Sequence, residues 1–168
     1  TGYYRTNLAV ITADEALLNR AEANILLGNY EAALADINIW TANTLNASKA
    51  KVVLTQKDIE DWANGLEYYT SLKPTPKKHL NPLHIDVEEG STLEAFLHAI
   101  LYIRRVEFLH MRWFDIKRYG IEITRRTLST TAIEPINEYD VLTLDDERRA
   151  IQIPKDVISA GMTPNPRP

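Results

Sequence analysis

The 168-residue chain contains no cysteine, which excludes disulfides, thiolate metal sites and a thiol nucleophile and leaves the redox compartment open. No apolar run approaches the roughly 20 residues needed to cross a bilayer; the longest candidate, Leu93 to Val106, is interrupted by His98, Arg104 and Arg105. Basic excess is also missing. The 19 Lys and Arg against 23 Asp and Glu give a net charge of -4, whereas a phosphate backbone calls for the opposite balance, so nucleic acid is not an expected partner. There is no Gly-x-Ser-x-Gly elbow, no His-Glu-x-x-His helix and no phosphate-cradling glycine loop. No spacing among the acidic residues singles out a hydrolytic pair. The sequence therefore offers no catalytic residue, metal ligand or cofactor site.

What is present is an apolar share of 45%, enough for one buried core without covalent staples, so 1–168 reads as a single domain of mainly α class. Thr12 with Glu15 three residues on has the spacing of a capping box, and Leu17, Leu18, Ala21 and Ile25 follow at helical steps. Gly28 then supplies a left-handed C-cap. Tyr30, Ala33, Leu34, Ile37 and Trp40 lay down a second stripe, and the short link forces antiparallel packing, which makes 12–45 a helical hairpin. Ala21, Ala32 and Ala33 are small enough to let the two axes approach.

Thr55 and Asp58 open a third helix carrying Ile59, Trp62, Leu66 and Tyr69, with Gly65 inside it. From 73 to 90, Pro74, Pro76 and Pro82 break helix and interior strand alike, which predicts a long surface loop. Ser91 and Glu94 cap a central helix over 91–120, apolar round most of its circumference, that continues or kinks into Trp113, Phe114, Ile116 and Tyr119. Strand formers between Ile121 and Ile153 predict a small β-hairpin, and the prolines from Pro154 onward predict an extended tail, so 121–168 reads as hairpin and tail. The single helical hairpin falls short of the roughly three repeats a solenoid needs.

Three segments, in order, resemble the SusD/RagB family of nutrient-binding outer-membrane lipoproteins. Leu18-Asn19-Arg20-Ala21-Glu22-Ala23, followed by Leu27-Gly28-Asn29-Tyr30-Glu31-Ala32-Ala33 and Asp36-Ile37-Asn38, is similar to the family's tetratricopeptide-like helical pair. Arg104-Arg105-Val106-Glu107-Phe108 with Arg112-Trp113-Phe114-Asp115-Ile116-Lys117-Arg118 resembles its most distinctive run, although Leu109-His110-Met111 stands where the family commonly has an acidic-glycine pair. Ile151-Gln152-Ile153-Pro154 with Asn165-Pro166 resembles the family's ending.

The resemblance implies the carboxy-terminal portion of a helical lipoprotein of Bacteroidota, held at the cell surface as the partner of a SusC-like TonB-dependent transporter. Such a protein binds an oligosaccharide or peptide and does not transform it. The opening Thr1-Gly2-Tyr3-Tyr4 reads as an internal cut, so a signal sequence and lipid anchor are expected upstream, and the anchor would be the only membrane association. Tyr3 and Tyr4 are expected to pack on that upstream part. The alternative is a tetratricopeptide-like module for protein–protein interaction, for which the 12–45 hairpin alone speaks.

Arg105, Glu107, Arg112, Trp113, Phe114, Asp115 and Arg118 are read as structural, with Trp113 and Phe114 as a core aromatic pair and Asp115 bonding arginines at a helix end. Glu107 and His110 have the spacing of a carboxylate-bridged metal site, but no second copy accompanies them, so Glu107 is taken as an ion-pair partner for Arg104 or a neighbouring helix. His79 and His84, with Asp86, Glu88 and Glu89, read as a solvated charged loop. Trp62, Tyr68 and Tyr69, amphipathic aromatics just before the loop, are the candidate ligand-binding residues.

Overall fold

The structure, a computed structural model, describes residues 12–70, 73, 75–108, 112–124 and 141–166. Tyr3, Tyr4 and His110 lie outside the described residues, as does the side chain of Arg112. The fold is mainly helical with a small antiparallel β-hairpin. The chain divides into two compact units, Thr1–Glu67 with Val87–Arg112, and Tyr68–Asp86 with Trp113–Pro168.

In the first unit, α1 (Ala13–Leu26) begins where Thr12 Oγ1 accepts from the Glu15 amide at 3.1 Å. It ends at Gly28, whose φ of 76° is the left-handed conformation that glycine adopts without a Cβ penalty. Helix α2 (Tyr30–Thr44) returns against it. Ala21 and Ala33 are fully buried there, while Ala32 faces solvent. Arg20 closes a bidentate pair on Asp36, Nε to Oδ2 at 2.9 Å and Nη2 to Oδ1 at 2.7 Å, which fixes the register of the two helices.

Helix α3 (Gln56–Asn64) starts in a complete capping box between Thr55 and Asp58. Gly65 stands at its C-cap rather than inside it, donating to the Asp61 carbonyl, so Leu66 and Tyr69 lie beyond the helix. Helix α4 (Thr92–Glu107) carries the core: Ala95, Phe96, Leu97 and Ile100 are all fully buried. Ser91 caps it, and the Glu94 carboxylate accepts from the Gly90 amide at 2.8 Å. Phe96 meets Tyr30 of α2 with ring centroids 5.1 Å apart, and Thr92 Oγ1 donates to Glu60 of α3 at 2.7 Å. Thr92, then Gln56, hold the Glu60 carboxyl below its ordinary value.

The helix expected over 91–120 is not continuous. Arg105, Val106 and Glu107 are all exposed, so the inward-facing stripe has run out, and Phe108 (φ −123°, ψ 70°) turns back to bury its ring. Helix α5 (Arg112–Arg118) is a separate element.

The second unit contains α5, strands β1 (Ile123–Thr124) and β2 (Val141–Leu142), a 3-10 turn at Glu147–Arg149 and α6 (Lys155–Ser159). The strands pair antiparallel, Ile123 with Leu142 and Thr124 with Val141. Arg149 is buried and ties the hairpin together by donating to the carbonyls of Ile121, Leu142 and Thr143. Arg148 holds the Asp146 carboxyl down at about 2. The expected extended tail instead contains α6, because Pro154 precedes the helix and Pro164 and Pro166 follow it, leaving its interior free of proline. The described residues of the 73–90 segment form no helix or strand, yet Lys77 and Leu80 are buried, so it is not wholly superficial.

Candidate functional site

A groove in the first unit is built from three helices and one loop, and its shape follows from how the loop is held. Asn38 acts like a strand edge on α2: its Nδ2 donates to the Leu54 carbonyl at 2.9 Å and its Oδ1 accepts from the Leu54 amide at 2.7 Å. Thr41, one turn on, donates to the Val52 carbonyl at 2.6 Å. These bonds satisfy the Leu54 amide and carbonyl and the Val52 carbonyl, and Leu54 joins Ile37 and Trp40 of α2 in the groove wall. Helix α3 contributes Asp58, Ile59 and Trp62, and α4 contributes Ala99, Tyr102, Ile103 and Val106. The spacing of the α4 residues is that of one helical face. Together they enclose about 410 Å³, within the roughly 300–1,000 Å³ of small-molecule sites.

The walls are nearly all apolar. Trp62 and Tyr102 stand at the mouth, 36% and 42% exposed, with ring centroids 5.6 Å apart and planes inclined by 56°. The Arg105 guanidinium lies 5.8 Å from the Tyr102 ring. Asp58 Oδ2 accepts from the Thr55 amide and hydroxyl, both at 2.6 Å, and pairs with Lys51. Lys51 and then Thr55 hold this carboxyl well below the usual carboxylate range. Trp40 is 5% exposed, and its indole Nε1–H has no hydrogen-bond partner among the described residues. Leaving such a donor buried and unmet costs about 1–3 kcal/mol.

The aromatic trio expected from the sequence is divided between the units. Trp62 lines this groove, whereas Tyr68 and Tyr69 belong to the second unit. The Tyr68 ring stacks on His79 at 4.3 Å with planes 6° apart, and Lys77 Nζ lies 4.5 Å from its centroid. Lys78 Nζ lies over the Tyr69 ring, whose hydroxyl accepts from Thr124 at 3.2 Å. Both tyrosines are thus engaged by their own chain. Among the described residues no three His, Asp or Glu side chains gather as a metal would require.

The run from Arg104 to Arg118 also differs in part from expectation. Asp115 is buried and accepts from Arg118 at 3.0 Å. Phe114 is 62% exposed and Trp113 only half-buried, so they are not a core pair. In this seven-residue helix the buried position is taken by Asp115, and Ile116 is half-buried like Trp113. Arg104 turns to α1 for its partners, Glu22 and Asn19, and not to Glu107, which is exposed. Tyr102 and Trp40 were not recognisable as site residues; the available signal was the second apolar line Ala99, Tyr102, Val106 on α4.

No family model, curated protein or solved structure matches this chain.

Proposed function

We propose that this chain is part of a non-catalytic binding subunit of the SusD/RagB type, lipid-anchored at the outer surface of the outer membrane through a segment outside 1–168, which captures a nutrient and hands it to a SusC-like TonB-dependent transporter. The observation that carries the reading is that the residues of the resembling segments bond to one another. Asn19 and Glu22 of the first accept from Arg104 of the second. Within the first, Arg20 pairs with Asp36. In the third, Gln152 and Asn165 exchange bonds at 2.9 Å each way, joining the two pieces of the family-like ending. Residues with such mutual dependence are the ones a fold-defining motif would contain. The groove on α2, α3 and α4 is the capture site in this reading.

The test is affinity purification of the full-length protein from outer membranes, with identification of what copurifies. A TonB-dependent channel is the expected partner; recovery in a cytoplasmic complex instead would overturn the proposal. That second outcome would favour a tetratricopeptide-like interaction module, for which the packed α1–α2 hairpin speaks.

A further inference from the structure

We propose that Asn64 and Gly65 form a site of spontaneous modification, at which the Asn64 carboxamide is lost as ammonia, and that the last turn of α3 holds the reaction in check. The inference stands apart from the importer reading and would survive its failure. Only water is needed as co-reactant. The Gly65 backbone nitrogen gives its proton to a solvent base and attacks Asn64 Cγ; the N–Cγ bond forms, the Cγ–Nδ2 bond breaks, and Nδ2 takes up a proton and leaves as ammonia. Water then opens the resulting cyclic imide at either carbonyl, which leaves aspartate or isoaspartate at position 64.

Asn64 is the only asparagine of the chain followed by glycine. Every other one precedes either a residue whose Cβ crowds the closing ring or a proline, which has no amide proton to give up. Asn64 and Gly65 are both exposed, so water and base reach them. The fold opposes the reaction in two ways. The Gly65 N–H donates to the Asp61 carbonyl at 3.0 Å, so the proton that must go is engaged. Asn64 is also the last residue of α3, and ring closure requires its backbone to rotate out of the helical well.

This restraint is local and slight. The next bond, from the Leu66 amide to the Ala63 carbonyl, is long at 3.4 Å, and no basic residue in the last turn steadies the negative end of the helix. Upstream, α3 is pinned: Ile59 and Ala63 are buried, and Thr92 of α4 donates to Glu60 at 2.7 Å. The rate is therefore set by how often the end of α3 unwinds. Isoaspartate would add a methylene to the main chain between Asp61 and the Gly65 amide, and its free carboxylate would face the helix's negative end. Reaction thus loosens the helix that carries Trp62 into the groove wall.

The intact chain is incubated in mildly alkaline buffer with and without denaturing guanidinium chloride, its peptides followed by mass spectrometry and isoaspartate counted by enzymatic methylation. Asn64 should be the first asparagine to react in the folded chain, at a rate about tenfold or more below that of the unfolded chain. Thr92→Ala should speed the folded-state reaction several-fold and leave the unfolded rate unchanged. Should that variant fail to fold, guanidinium below the unfolding transition reads the same gate, and the rate should climb with its concentration. Gly65→Ala should suppress the reaction in the unfolded chain, where no packing intervenes. The inference is overturned if Asn64 stays intact in the folded chain, if another asparagine reacts first there, or if folded and unfolded rates are equal. A folded Thr92→Ala chain that reacts no faster, or a rate flat in low guanidinium, overturns it as well.

Discussion

Arg104 of α4 donates to Glu22 of α1 at 3.0 Å, and the two side chains are only 7% and 5% exposed. Asn19 accepts from the same guanidinium nitrogen. An ion pair withdrawn this far from water gains little over a hydrophobic replacement, yet removing one member strands the other charge. Arg104→Met should therefore cost about 3–5 kcal/mol, whereas Glu22→Leu combined with Arg104→Met should regain most of that loss. Urea unfolding of the single and double variants measures both values. A loss in the double variant equal to the sum of the Arg104→Met and Glu22→Leu losses would show that the two residues act independently.

How far this arrangement could be read in advance depends on sequence separation. Thr12, Thr55 and Ser91 were legible as caps because each acts on an amide three residues away, and Gly28 was legible because its work is local. The Arg104–Glu22 bond spans 82 positions, and nothing near Arg104 separates it from its exposed neighbour Arg105. The groove was hidden for a related reason. Helix α4 is apolar round most of its surface, so the sequence does not distinguish the face bearing Phe96 and Ile100, which is covered, from that bearing Tyr102 and Val106, which is open. Pro154 was misread because proline at a helix start and proline in an extended tail look alike locally.

Gly120 and Gly28 both have positive φ, and the structure separates the consequences of substituting them. A Cβ on Gly28 meets nothing within 4 Å among the described residues, so Gly28→Ala should cost only the left-handed penalty of about 1–2 kcal/mol. A Cβ on Gly120 would lie 2.1 Å from the Asn81 carbonyl oxygen. Backbone must move there, and the Asn81 amide bond to the Tyr119 carbonyl goes with it. Gly120→Ala should cost more than about 4 kcal/mol, with accelerated hydrogen exchange at the Asn81 amide as the local sign.

Phe114 offers a contrast with the buried aromatics. With 62% of its surface exposed, Phe114→Ala should shift stability by no more than about 0.5 kcal/mol. Trp113→Ala, at a half-buried site, should fall short of the roughly 3–5 kcal/mol of a fully buried aromatic. Thermal melts of the two variants settle the ranking; a Phe114 loss as large as a core aromatic's would mean that its ring is covered in solution.

The start of α3 should respond to acid in a way that one variant isolates. Lys51 and Thr55 stabilise the ionised form of Asp58, so its carboxyl titrates lower in the folded chain than in the unfolded one, where it loses charge near pH 4. A depressed folded pKa means that the stabilisation is fully present above the unfolded value and is lost as pH falls below it towards the folded value. Wild type should therefore exceed Asp58→Asn in melting temperature at neutral pH, with the difference shrinking from about pH 5 to about pH 3. Raising salt should narrow the neutral-pH difference, because the Lys51 side chain is exposed and its pairing is screened. A difference constant across the acid range would mean that Asp58 titrates alike in both states, and that Thr55 caps α3 without help from the carboxylate.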